Sequence, residues 1–382
     1  MKAFFALSIL LPLAAFAANG PAPKFRAVDI DTKVEIGYGI AIADVDGDGK
    51  PDIVLADKKT IQWYRNPSWE KFVIAENLTE QDNVCVAARD IDGDGKAEIA
   101  VGAGWNPGDT VNSGAVFYLI APKDRTHKWE PVKLHHEPTV HRMHWILNPA
   151  GKYELIVKPL HGRGNKNNEG EGGHVLAYTM PANPKDEWKT TVVSDFMHAT
   201  HNFQPINWDN DPEQELLIGG KEGVWFFGHS TGAWKKRQFT EQMTGEVRDG
   251  QFAGGKRFIA TIEPMHGTTV CAYTDPGKKG LWTRRVLDDA LKDGHAVAIG
   301  DVLGTGSPQV VAAWRAMNPK GVPGVKIYTP NSDGSDWRAQ QISGPEVAVE
   351  DMKLADLNGD GKLDIILAGR QTKNLRILWN ER

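Results

Sequence analysis

Two sets of residues in this chain have types and spacings that could do chemistry. One is a carboxylate loop that recurs; the other is a collection of histidines and arginines at equivalent places in a repeated unit. The loop Asp44-Val-Asp-Gly-Asp-Gly-Lys-Pro-Asp52 puts oxygen side chains at relative positions 1, 3, 5 and 9, with glycines at 4 and 6. Ca²⁺ takes six to eight oxygen ligands, and glycine permits the sharp bend that gathers them. Asp44, Asp46, Asp48 and Asp52 are therefore candidate ligands of a structural calcium. An EF-hand would need a bidentate Glu at position 12, but Leu55 stands there, and the flanks Ile40–Ala43 and Ile53–Ala56 read as strands rather than helices.

The loop returns as Asp90-Ile-Asp-Gly-Asp-Gly-Lys-Ala-Glu98 and as Asp356-Leu-Asn-Gly-Asp-Gly-Lys-Leu-Asp364. These add Asp90, Asp92, Asp94 and Glu98, then Asp356, Asn358, Asp360 and Asp364. A fourth version carries Asn207, Asp209, Asp211 and Glu215 but has lost both glycines. The alternative for each loop is an acidic turn held by Asx hydrogen bonds.

The second set emerges once the repeat is counted. Tryptophans at 69, 129, 188, 234, 282 and 337, with Phe25 as a seventh mark, each precede an outer-strand pattern at spacings of 44 to 60 residues. Between them lie seven versions of strand, turn, strand, strand. Their second strands are expected at Asp52–Ala56, Glu98–Gly102, Glu154–Lys158, Glu215–Gly219, Arg257–Ile262, Gln309–Ala313 and Asp364–Ala368. Seven inner parts with one outer strand displaced to the N-terminus describe a ring, in which Phe25–Ile30 completes the last sheet. The fold class is all-β: one seven-bladed β-propeller domain over residues 22–382.

In that ring the acidic loops lie on one rim, and the opposite rim collects His141, His144, His161, His198, His201, His266 and His295. Blade three has lost its acidic loop and carries His141-Arg-Met-His144, then Lys158-Pro-Leu-His-Gly-Arg-Gly164 and a glycine-rich loop over residues 165–173. Arg315, Arg370 and Lys221 hold matching positions in other blades. A concave rim rich in imidazole and guanidinium suits an anionic or polyhydroxy ligand. Residues three apart in a strand face opposite ways, so neither His141 with His144 nor His198 with His201 chelates a metal without a bend. A second metal held by one histidine from each of several blades stays open.

The loop sequences resemble FG-GAP or VCBS repeats, which build calcium-bearing propellers. Pro138–Trp145 followed by Lys158–Gly164 resembles the propeller of aldos-2-ulose dehydratases, which eliminate water from keto-sugars. His141 and His161 also resemble the paired histidines of seven-bladed polysaccharide lyases acting on uronic acids. These resemblances imply an eliminase with His141 and His161 in proton transfer and Arg142 and Arg163 on the carboxylate or keto oxygen. His201, His266, His144 and Arg315 would line the substrate pocket. The cupin-type domains of the dehydratases are missing from the sequence, and Tyr38 and Tyr178 are candidates for a catalytic tyrosine by position alone. The competing class is a non-catalytic calcium propeller that binds carbohydrate or protein, as in adhesion modules and lectins.

Composition narrows the setting. Of 382 residues 41% are hydrophobic and 24% charged, with a net charge of −5, which offers no basic field for nucleic acid. Lys2, the apolar run Phe4–Phe16 and Ala15-Phe-Ala17 read as a signal peptide over residues 1–17. No later stretch is apolar for long enough to cross a bilayer. Export to the periplasm or cell exterior is expected, with Cys85 and Cys271 as buried free thiols in strand-like runs.

Overall fold

The computed structural model describes residues 23–230 and 233–382. The expected signal peptide lies outside the described residues. Seven four-stranded antiparallel sheets account for the strands, and there is no helix among the described residues. Taken in chain order as blades one to seven, their innermost strands are Gly39–Ala43, Cys85–Arg89, Val140–Leu147, Thr200–Ile206, Glu246–Gln251, Gly294–Gly300 and Val349–Ala355. Each innermost strand packs against the next, and the seventh packs against the first, so the sheets form a closed seven-bladed propeller. In blade seven Phe25–Asp31 is the outer strand, running antiparallel to Asn374–Asn380 with Val28 opposite Ile377.

The second strand of each blade has neighbours on both faces. Asp52–Ala56 and Asp364–Gly369 are buried at every position, which is why they are written as unbroken apolar runs rather than alternating ones. The core is divided into seven seams, one between each pair of adjacent blades. At the closing seam Ile40, Leu55 and Tyr64 of blade one meet Ile366, Leu375 and Ile377 of blade seven. Each such fully buried aliphatic side chain contributes about 1.5–3 kcal/mol. The repeated tryptophan pins the turn before the outer strand: the indole N–H of Trp129 donates to the Arg125 carbonyl at 3.2 Å, and that of Trp188 to the Pro184 carbonyl at 3.0 Å. Both cysteines are buried and unpaired.

One irregularity repeats at the start of the innermost strands. In blades three, four, six and seven the register with the second strand skips one residue there. The skipped residues are His141, His201, His295 and Glu350. A bulge leaves one residue out of the ladder and re-aims its side chain, so the same local defect turns four ionisable groups toward the mouth of the central channel.

Candidate functional site

The acidic loops occupy the connections between first and second strands, on the rim away from these bulges. Each is closed by its first carboxylate: Asp44 accepts from the N–H groups of Gly47 and Gly49, both at 2.7 Å, and Asp90 and Asp356 do the same in their loops. The two glycines have φ of 82°, which side-chain-bearing residues rarely adopt. In blade four Asn210 takes that left-handed role at φ 66°. The position-nine carboxylates Asp52 and Asp364 turn inward and each accepts two backbone N–H groups, one from the loop and one from Asn66 or Asn380. Oxygens of Asp44, Asp46 and Asp48 approach one another within 4.8 Å, as do those of Asp90, Asp92 and Asp94 and of Asp209, Asp211 and Glu215. Asp46 Oδ1 and Asp211 Oδ1 are buried without a hydrogen-bond partner, an environment whose donor set suits a hard cation. Blade six has the same turn built on a single carboxylate, with Thr305 and Gly306 N–H on Asp301 and Leu303 N–H on Gln309, a relative the sequence reading missed despite glycines at its positions 4 and 6.

The histidine rim is a connected cluster. His141 stacks on Trp105, with centroids 4.9 Å apart, and lies 4.7 Å from His201. His201, His266 and His295, from blades four, five and six, have mutual centroid distances of 4.7 to 5.1 Å. One nitrogen from each of the three lies within 4.8 Å of the others. The hydrogen bonds assign the tautomers. His201 Nδ1–H donates to Glu246 at 2.9 Å, so its Nε2 accepts from His266 Nε2–H at 2.8 Å. His266 Nδ1 then accepts from Arg315 Nη2–H at 3.2 Å. His295 Nδ1–H donates to the Glu350 carbonyl at 2.6 Å, and His141 Nδ1–H to the His201 carbonyl at 2.7 Å.

Burial sets the protonation. Desolvation holds His141, His201 and His295 well below the ordinary imidazole range, reinforced by Arg142 for the first two and by Arg315 for the third. His266, on the solvent side with its side chain 40% exposed, is lowered as well, by desolvation from its packed face and then by His201 and Arg315, but less firmly than the three buried rings. All four rings are therefore neutral, the state in which imidazole serves as a base or a metal ligand. Glu246 is raised by the same desolvation. Arg315 is neutralised by Asp293 and Glu350, and Arg370 also bonds Glu350. Arg142 differs: it bonds His141 Nε2 at 3.2 Å and the His141 carbonyl at 2.9 Å, and has no carboxylate in ion-pair range among the described residues. Lys158 is fully buried against the Thr200 carbonyl, and desolvation drives its amine well below the usual lysine range.

The structure thus brings His141, Arg142, His201, His266 and Arg315 together and adds His295, Glu246, Glu350, Asp293 and Trp105. It places the other expected residues elsewhere. His161 is half-buried at the same rim, with Nδ1 3.3 Å from the His198 carbonyl, and no hydrogen bond or ring contact joins it to His141 among the described residues. Arg163 turns outward to Glu137 and the Val111 carbonyl. His144 sits edge-on to Phe203 and faces a cavity of about 670 Å³ at the acidic-loop end of the channel. Tyr38 donates to Asp82 beside the rim, whereas Tyr178 is spent on the His135 carbonyl in the core. Because Arg163 lies at the surface, half exposed, and only its partner Glu137 is tucked in, Arg163→Ala is expected to change stability by only about 0–1 kcal/mol, which urea unfolding checks.

Comparison with known proteins agrees with this layout. Residues 44–101 match an FG-GAP-like repeat and residues 86–119 an FG-GAP repeat. Residues 113–276, which contain His141, His161, His201 and His266, match the aldos-2-ulose dehydratase β-propeller domain. No curated protein matches the chain. Among solved structures it is similar to a chain of the mitotic checkpoint complex (TM-score 0.57, 13% identity, covering 99% of this chain and 98% of that one). It is also similar to a chain in the crystal structure of BBS1N with ARL6DN (0.58, 13%, 94% and 97%) and to a chain in a structure of an Agrocybe aegerita lectin that recognises non-reducing terminal N-acetylglucosamine (0.50, 12%, 85% and 82%). At these identities the likeness is one of fold. Fold and repeats together define a seven-bladed β-propeller with FG-GAP repeats. Its central segment is related to the propeller domain of aldos-2-ulose dehydratase.

Proposed function

We propose that the histidine rim is the active site of an exported carbohydrate eliminase acting on a keto-sugar or a uronic acid. The observation that carries this reading is the convergence of four neutral imidazoles and one unpaired arginine at the channel mouth. Elimination beside a carbonyl or carboxylate needs a base for a weakly acidic C–H, positive charge for the enolate, and an acid for the departing oxygen. His141 suits the first role: its Nδ1–H is committed to the His201 carbonyl, so the lone pair that can take a proton sits on Nε2, where it accepts from Arg142 and is released when Arg142 turns to the substrate oxygen. Arg142 suits the second because no carboxylate of the described residues neutralises it. His161 is assigned the third in its protonated form: its Nδ1–H is held by the His198 carbonyl, and Nε2, which has no protein partner, would carry a proton taken up from solvent against the lowering that burial imposes.

His201, His266 and His295 are fitted to hold a divalent cation such as Zn²⁺, since each offers a neutral ring nitrogen from a different blade. Such an ion would act as a Lewis acid on the substrate oxygen. The chain's own residues then orient the sugar, take up the carbon-bound proton at His141 Nε2, and return a proton from His161. Calcium in the acidic loops is part of the same proposal, as a structural ion on the far rim, supported by the clustered carboxylates and the orphaned oxygens of Asp46 and Asp211.

The test is formation of the unsaturated product, followed by ultraviolet absorbance, over a panel of uronate polysaccharides and keto-sugars with zinc and calcium supplied. His141→Gln is expected to lower the rate by ~10²–10⁴-fold. Product from no substrate, with folded protein, would overturn the enzymatic reading. If the His141→Gln protein still bound a sugar that neither protein converts, a carbohydrate-binding module would replace it.

A further inference from the structure

We infer that Asp293 is a positioning residue that fixes the tautomer of His266 for a cation shared with His201 and His295, an inference that rests on the metal part of the function proposed above. Asp293 Oδ2 is held by Arg315 Nε at 3.0 Å, but its Oδ1 is buried and has no hydrogen-bond partner. Buried carboxylate oxygens are seldom left so, and this one lies 3.6 Å from His266 Nδ1.

The tautomers explain what it is for. His266 now carries its proton on Nε2, pointing at His201, while Arg315 donates to Nδ1. A cation between the three rings needs a lone pair on every nitrogen that faces it, so His266 must carry its proton on Nδ1 instead. Arg315 cannot accept that proton, because guanidinium only donates. Asp293 Oδ1 can, after a small movement of either group. His201 and His295 already have such acceptors, Glu246 at 2.9 Å and the Glu350 carbonyl at 2.6 Å. Asp293 would complete the set, as outer-shell acceptors commonly do for ligating histidines.

The backbone favours the same pairing. His266 and Asp293 are both non-glycine residues in the left-handed region, at φ 54° and 61°. Their segments are tied by Gly294 N–H to the Gly267 carbonyl at 2.9 Å. A side chain at Gly267 would meet the Glu263 carbonyl at 2.1 Å, so only glycine permits the turn that presents His266. Uncommon conformations persist where the surroundings over-determine them, and functional sites are where they cluster.

The experiment is a zinc titration of the full chain against a competing chelator, with a cobalt(II) absorption spectrum as a second readout of the ligand set. Asp293→Ala is expected to bind zinc ~10–100-fold more weakly than the parent protein and to alter the cobalt spectrum. Asp293→Asn, which keeps an oxygen that can accept from Nδ1–H, should recover part of the affinity, and it serves as the informative variant should the alanine protein not fold. Equal zinc affinity and an unchanged cobalt spectrum in a folded variant would overturn the role of Asp293 and leave the metal site standing. A parent protein that takes up neither zinc nor cobalt would overturn both.

Discussion

On the function proposed above, a His201→Ala protein, having lost a cation ligand, is expected to lose elimination activity by at least ~10–100-fold and to melt earlier than its parent. The His201 side chain joins the two halves of the rim cluster. Its ring lies against those of His141, His266 and His295, and its two nitrogens bridge Glu246 and His266. Removing it leaves Glu246, 1% exposed, with Asn202 at 2.6 Å and Arg248 at 3.8 Å but without its imidazole donor. Leaving a buried acceptor short of a partner costs about 1–3 kcal/mol. The backbone carbonyl of residue 201 still holds His141, so the variant separates the side chain's chemistry from the scaffold. Glu246→Gln is the companion variant: it keeps an oxygen for His201 Nδ1–H and removes the charge, and should melt closer to the parent. Rates and thermal melts on the two proteins decide the point. Undiminished turnover by a folded His201→Ala protein would remove the rim from consideration as the active site.

How much of this was legible before the coordinates differs sharply between scaffold and site. The second strands read as unbroken apolar runs because both faces are covered, and their expected limits agree with the structure to about a residue; Arg257–Ile262, for example, is observed as Arg257–Glu263. The acidic loops were legible because a nine-residue spacing is a local property. The site depends on bulges, which local pattern does not reveal. A straight strand would place His141 and Arg142 across from Lys158 and its neighbours, and His161 with Arg163 was expected to converge there. Instead the register skips His141, and the chain beyond Pro159 leaves the sheet and carries Arg163 out to Glu137. Nothing in the local sequence around Glu246, Glu350 or Asp293 marks them as site residues. The available signal was positional: Val140-His, Thr200-His, Gly294-His and Val349-Glu all put an ionisable residue second in an innermost strand.

The last expectation concerns calcium and pH together. In the metal-free protein, burial, with help from neighbouring loop carboxylates, pushes Asp52, Glu98 and Glu215 each up to about 7. A carboxyl whose folded pKa is raised favours the protonated form on folding. The stability it adds is fully present below the unfolded value near 4 and is lost as pH rises through about 7. Between about pH 4 and pH 7 these three groups therefore lower the stability of the metal-free protein as pH rises, while the buried rim histidines, whose pKa values are depressed, act in the opposite sense; the calcium-dependent part of the melt isolates the carboxylates. Bound Ca²⁺ would reverse the preference, since a cation favours ionised ligands, and its stabilisation grows as RT ln(1 + [L]/K_d). Added calcium should raise the melting temperature most at pH 8 and least at pH 5. The loops lie on the rim opposite the histidines, so a calcium-selective chelator should reduce turnover only as far as it reduces the folded fraction, whereas on the proposed function a zinc-selective chelator should reduce turnover by far more than it reduces the folded fraction. Thermal melts from pH 4 to 8 with and without calcium check the first statement, and turnover under each chelator checks the second. A calcium-induced rise in melting temperature that is the same at pH 5 and pH 8 would mean that these carboxylates are not the groups the ion discharges.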